Sequence, residues 1–164
     1  MVRFLRITRP ARRLRKRKVS DRSTTRGATG QRARAKTKTN RMNAILLAAL
    51  MAVETGGERN PDRAIGDGGR AIGCLQIHRA TVRDVNRIAG TRFTHDQMTN
   101  RQESIRVATI YLDHYASGLD DLSRARVWNG GPRGHLKSST RAYARRIRKE
   151  LDKQLVTISK TNRR

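Results

Sequence analysis

Ala52-Val53-Glu54-Thr55-Gly56-Gly57, followed by Gly69-Arg70-Ala71-Ile72-Gly73-Cys74-Leu75-Gln76-Ile77, is the stretch around which the chain is organised. Glu54 closes a run from Met42 to Val53 that is otherwise nearly all apolar. A carboxyl group at that place loses hydration, which disfavours its charged form and keeps a proton on it near neutral pH. Beside a glycine-rich segment, a protonated Glu is equipped to give its proton to a leaving oxygen. The plainer alternative is a Glu that merely ends a helix.

Working outward, Ile45, Leu46, Ala49, Leu50 and Val53 recur at helical spacing, a core helix that ends at Gly56 and Gly57. A long loop carrying Pro61 and several glycines follows over residues 58–73. Thr81 to Ala89 reads as a short helix stopped by Gly90. Asn100 with Glu103 three residues later signals a helix start, and Ile105, Ala108, Leu112 and Tyr115 form its apolar face. Asp120 or Asp121 opens another helix through Val127 and Trp128, which breaks at Asn129-Gly130-Gly131-Pro132. A last helix begins near Ser138-Ser139-Thr140 and is expected to bury Tyr143, Ile147, Leu151 and Leu155. No stretch alternates with period two, so the expected fold is mainly α.

The charge is uneven. Of 38 Lys and Arg against 13 Asp and Glu, residues 1–41 hold 16 basic residues and a single acid, Asp21. This segment has almost no apolar periodicity after Leu14 and cannot bury enough surface to offset its own ordering. The expectation is an extended basic arm over residues 1–41, a helical domain over 42–157 and a basic tail over 158–164. Arg12, Arg13, Arg15, Lys16, Arg17 and Lys18 would meet nucleic acid or an assembly partner, with Phe4, Leu5, Ile7 and Leu14 as apolar anchors. The run at Met42–Val53 is too short to cross ~30 Å of hydrocarbon, so no membrane span is expected. A basic start before an apolar run imitates a leader peptide. Here the basic region is too long, and no small-residue cleavage site ends the run. Cys74, the single cysteine, sits among Gly73, Leu75 and Ile77 and reads as a small buried apolar residue. No Cys/His cluster has zinc spacing, and neither metal nor cofactor is expected.

Four blocks, in order, resemble the soluble lytic transglycosylase (SLT) family of the lysozyme-like fold. Glu54-Thr55 with Asn60-Pro61 matches the catalytic Glu, its small hydroxyl neighbour and an Asn-Pro. Gly69 with Ala71-Ile72-Gly73-Cys74-Leu75-Gln76-Ile77-His78-Arg79-Ala80-Thr81 matches the G-A-x-G-L-M-Q-I/L-x-P-A-T block. Ser104-Ile105-Arg106-Val107-Ala108-Thr109-Ile110-Tyr111-Leu112 matches N-I-x-x-G-x-x-Y-L. Val127-Trp128-Asn129-Gly130-Gly131-Pro132 and then Thr140-Arg141-Ala142-Tyr143-Ala144 match A-Y-N-A-G-P and T-x-x-Y-V. The similarity covers about residues 42–151. Thr55 stands where the family prefers Ser, Trp128 replaces a Tyr and Gly130 an Ala.

The resemblance implies a lysozyme-like helical domain that cleaves the β-1,4 bond between N-acetylmuramic acid and N-acetylglucosamine in peptidoglycan, with Glu54 as general acid and then base. It further implies that Thr55, Gln76, Trp128, Asn129 and Tyr143 serve the substrate side. Gln76 would bond the sugar or order the glycine loop. Trp128 would stack on a sugar ring. Asn129 would bind an acetamido group or shape its turn, and Tyr143 would orient Glu54 or simply pack. A hydrolytic lysozyme, the rival within the fold, needs a second carboxylate at ~5–5.5 Å or ~6.5–9.5 Å. Asp67 is the best placed of Glu58, Asp62 and Asp67, although Asp beside Gly is also an ordinary turn residue. His78 is expected on the surface without a catalytic part. The expected setting is a bacteriophage virion, whose structural proteins or packaged DNA would hold the arm. The other class of reading is an inactive structural component of a virion or nucleoprotein.

Overall fold

The computed structural model describes residues 44–56 and 58–161. The basic arm, including Arg12, Arg13, Arg15, Lys16, Arg17 and Lys18 and the four apolar anchors, lies outside the described residues, as do residues 162–164. What is described is mainly α, with five α-helices and one small sheet.

Helix α1, over residues 44–55, buries Leu46, Leu47, Ala49 and Leu50, while Ile45 and Val53 are half-buried. It stops where Gly56 takes a left-handed φ of 54° and its N–H returns to the Ala52 carbonyl. Three two-residue strands follow: β1 (Ile65–Gly66), β2 (Ala71–Ile72) and β3 (Ile77–His78). They form an antiparallel sheet in the order β1-β2-β3, pairing Ile65 with Ile72 and Ala71 with His78. The sheet is a small addition to a mainly α domain, and no alternation in the sequence marks it. A two-residue strand is too short for alternation to be visible, and its pairing is set by the turns between strands.

α2 (Arg79–Ala89) packs Val82 and Val85 inward and ends on left-handed Gly90. α3 (Arg101–Tyr115) starts as expected, with Asn100 Oδ1 accepting from the backbone N–H groups of Gln102 and Glu103. Its buried face is Ser104, Val107, Ala108, Tyr111 and Leu112, rotated from the expected one; Ile105 and Tyr115 are only half-buried. α4 (Asp121–Gly130) is capped by Asp120, and α5 (Arg141–Thr161) buries Tyr143 and Ile147. Leu151 is half-buried, but Leu155 is 51 % exposed, which corrects its expected burial. All five helices contribute side chains to one apolar cluster that also holds Cys74, Leu75 and Ile77. Burial, and then the neighbouring Asp62, push the Cys74 thiol up to about 11, so it stays protonated.

Gly73 locks the sheet to the helices. Its φ is 78°, and a Cβ there would sit 1.8 Å from the Met98 carbonyl oxygen, a distance no side chain tolerates. No described helix is long and apolar enough to cross a membrane.

Candidate active site

The last turn of α1, the small sheet, the first turn of α2, the middle of α3 and the end of α4 enclose a cleft of about 260 Å³. Glu54, Asp67, Gln76, Trp128 and Asn129 line it, together with Ala71, Ile77, His78, Thr81 and Tyr111. Of the residues singled out in the sequence, five therefore meet at one cavity, and Tyr143 stands directly behind it.

Glu54 sits half-buried in the last turn of α1, with its carboxyl group on the cleft. Burial raises its pKa above the usual carboxylate range, against the opposing pull of the Tyr143 hydroxyl, the Arg146 charge and the Trp128 side chain. Tyr143 donates its hydroxyl hydrogen to Glu54 Oε1 at 2.6 Å across 89 residues of sequence. Burial, and then the adjacent Glu54, push the phenol well above its ordinary pKa, so it remains a donor at any working pH. The Arg146 guanidinium lies over the Tyr143 ring, 5.4 Å from its centroid. Among the described residues no cation forms an ion pair with Glu54. The carboxyl group is thus half-buried, held at one oxygen by Tyr143, and shifted toward its protonated form by burial.

Trp128 meets the Tyr111 ring edge-on, at a centroid distance of 5.8 Å and 89° between planes, and Tyr111 packs on Tyr115 at 4.9 Å. The contacts fix one face of the indole and leave an aromatic wall on the cleft.

Asp67 and Gln76 are the two non-glycine residues with left-handed backbone among the described residues, at φ 48° and 47°. Gln76 Nε2 donates to the Gly73 carbonyl at 2.9 Å and to the Ala64 carbonyl at 3.3 Å. A Cβ on Gly66 would fall 2.1 Å from Gln76 Oε1, so a side chain there would push the Gln76 amide from its place. The Gln76 amide hydrogens are therefore engaged in ordering the loop, and its edge faces the cleft. Asp67 accepts from Arg70 at 2.7 Å and lies 3.8 Å from His78 Nε2, in a position open to solvent. Asp62 instead pairs with Arg101 at 3.0 Å, tying the loop to α3, and Glu58 is an exposed residue away from the cleft. The Thr55 hydroxyl turns back to the Met51 carbonyl at 2.8 Å and does not line the cavity.

Sequence reasoning passed over Thr81, Tyr111 and Arg146 and gave His78 no part in the site. Thr81, Tyr111 and His78 fall inside the second and third blocks, which was the available signal. Arg146 sits one turn beyond Tyr143 on α5, and only that spacing hinted at it.

A cleft with one half-buried carboxyl group of raised pKa, a hydroxyl donor behind it and an aromatic wall has what is needed to protonate the bridging oxygen of a bound sugar chain. Comparison with known proteins gives a match to the family model described as Transglycosylase SLT domain, over residues 31–151. Neither the curated proteins nor the solved structures compared with the chain yield a match.

Proposed function

The chain belongs to the Transglycosylase SLT domain family, and from that premise we propose that it cleaves the β-1,4 bond between N-acetylmuramic acid and N-acetylglucosamine in peptidoglycan by a lytic route. Protonated Glu54 gives its proton to the glycosidic oxygen as the bond to the anomeric carbon breaks and an oxocarbenium-like centre forms. The resulting Glu54 carboxylate takes the proton from the C6 hydroxyl of the same muramyl residue. That oxygen closes on the anomeric carbon and leaves a 1,6-anhydro end. An intramolecular hydroxyl needs no activated water, because its effective concentration is already high.

The observation that carries this reading is Glu54 itself: half-buried, raised in pKa, bonded by Tyr143 at 2.6 Å and set in the cleft beside Trp128. Tyr143 keeps the carboxyl group oriented and steadies the carboxylate formed after proton transfer. Trp128 offers a face for a pyranose ring, Asn129 a polar group for an acetamido arm, and Gln76 the order of the loop. Thr55 supports the helix end from behind.

Zymography on a peptidoglycan gel with wild type and Glu54→Gln tests the reading. Clearing by wild type alone supports it. Equal clearing by both removes Glu54 as the acid, and clearing by neither leaves the alternative of an inactive structural component that binds nucleic acid. Asp67, in the same cleft, favours a hydrolytic rival. Mass spectrometry of the products separates the two, since an anhydro end is lighter by one water (~18 Da), as expected when no water attacks.

The reading extends to carriage in a bacteriophage virion for local penetration of the wall. It rests on the concentration of positive charge in residues 1–41, which suits packaged DNA or an acidic structural protein. The domain would span 42–157, with 158–164 as a tail. Deleting residues 1–41 should leave wall-clearing activity intact and abolish incorporation into particles. A truncated protein that still co-purifies with virions would remove this part of the proposal.

A further inference from the structure

A second, more open groove of about 450 Å³ runs along α2, bordered by Ala80, Thr81, Arg83, Asp84, Arg87 and Tyr111. Thr81 and Tyr111 also line the Glu54 cleft, so the two depressions are continuous across these side chains. Whatever occupies the groove is within reach of a covalent attachment to a sugar in the cleft.

Its chemistry differs from that of the cleft. Arg83 is exposed and has no ion-pair partner among the described residues. Arg87, one turn further, pairs with Asp84, and Tyr115 donates its hydroxyl hydrogen to the other Asp84 oxygen at 2.6 Å. The bond from Tyr115, followed by the Arg87 interactions, holds the Asp84 carboxyl below the usual carboxylate range. Asp84 therefore stays ionised and anchors one edge of the Arg87 guanidinium, leaving its remaining N–H groups directed by a fixed partner. Two arginines against one aspartate leave the groove with a net positive charge. Along α2, Arg83 lies ~3 Å and Arg87 ~9 Å beyond Thr81, at 1.5 Å per residue. That reach matches two to three residues of extended peptide at ~3.3–3.6 Å each.

We propose that this groove binds the carboxylate-bearing peptide attached to the muramyl sugar, with Arg83 and Arg87 as its anion contacts, so that the enzyme prefers peptide-bearing glycan strands over bare ones. The inference rests on the cleavage reading above, because that reading puts a muramyl residue in the adjoining cleft. Recognition lies on the exposed side of the molecule, so it is screened by salt and sets preference rather than chemistry.

The test compares kcat/KM on peptide-bearing strands with kcat/KM on strands stripped of peptide by an amidase. Wild type should favour the former, Arg83→Ala should lower that ratio about threefold, and Arg83→Glu about tenfold. An active wild type whose ratio is unchanged in both variants overturns the inference and leaves the cleavage reading standing. So does an equal loss on both substrates. A second measurement does not depend on turnover: binding of a fluorescent muramyl peptide to the full chain carrying Glu54→Gln. Affinity should fall about tenfold when Arg83→Glu is added, and fall as salt rises. Retained affinity overturns the groove assignment even if wild type cleaves nothing, which would separately defeat the cleavage reading. Displacement of the probe by inorganic phosphate but not by acetate overturns the carboxylate assignment.

Discussion

Tyr143→Phe removes one hydroxyl from behind Glu54 and keeps the buried ring in place. In the structure that hydroxyl donates at 2.6 Å to Oε1 and lowers the Glu54 pKa against the larger, opposite effect of burial. A hydrogen bond to a charged group contributes about 1.5–3 kcal/mol and one to a neutral group about 0.5–1.5 kcal/mol. The hydroxyl therefore favours the carboxylate over the carboxylic acid by about 1–1.5 kcal/mol. Two consequences follow, with opposite appearance. On the proposed route Glu54 passes from acid to carboxylate as the bond breaks, so the variant should lose that differential stabilisation and its plateau kcat should fall about five- to tenfold, at ~1.36 kcal/mol per decade. In the free enzyme the protonated acid is the active form, and losing a bond that favours the charged form raises its pKa. The basic limb of kcat/KM against pH therefore moves to higher pH. The assay is initial-rate cleavage of soluble glycan oligomers across the pH range, with circular dichroism to verify folding. A basic limb moving to lower pH, or an unchanged plateau kcat in a folded variant, would refute the coupling between Tyr143 and the acid.

Glu54→Gln should lower kcat by about 10²–10⁴, the usual contribution of a general acid, and at the same time raise the melting temperature at alkaline pH. The sign follows from linkage: the folded state raises the Glu54 pKa, so stability is lost as pH rises from the unfolded value through the folded one. The gain in Glu54→Gln over wild type should disappear under acidic conditions where both are neutral; a gain that grows in acid contradicts a buried acid. Gly73→Ala should destabilise the domain by more than about 2 kcal/mol, since left-handed backbone and a Met98 carbonyl 1.8 Å from the new Cβ both oppose it. A melting temperature within 1–2 °C of wild type, roughly the scale of a surface change, would mean that the sheet is not pinned there. Asp67→Asn should change kcat less than about threefold, since the lytic route uses one carboxylate; a loss of 10²-fold or more would favour the hydrolytic rival.

The helices were legible because their apolar spacing, the Asn100 and Asp120 caps and the Gly90 stop act locally. Reading failed where burial was decided by contacts at a distance. Ser104 faces the core of α3 because its hydroxyl donates to the Met98 carbonyl at 2.6 Å, so a polar residue took a place that an apolar pattern assigns to Ile105. Leu155 has the right spacing for burial, yet it lies beyond the half-buried Leu151 on α5 and stays 51 % exposed. The strands escaped notice because two residues carry no period. At the site, Glu54 and the glycine segment were evident from local composition, and Tyr143 only from resemblance. Residues 89 apart meet through α5 packing against α1, which no local signal encodes. His78 was read as a surface residue, and it is exposed, but β3 aims it at Asp67 on the rim of the cleft.

Asp67 and Gln76 bring these observations together. A non-glycine residue in left-handed backbone costs about 1–2 kcal/mol, and both described examples line the Glu54 cleft. Relaxing Gln76 would withdraw its amide from the Gly73 and Ala64 carbonyls and from its place against Gly66. The turn between β2 and β3 would then lose the bonds that hold it at the cleft, and the turn between β1 and β2, where Asp67 pairs with Arg70, would lose its packing against the Gln76 side chain. A half-buried acid that must also be reached by a polymer needs a wall of fixed shape, and the turns joining the three short strands, each with one left-handed side-chain-bearing residue, supply one.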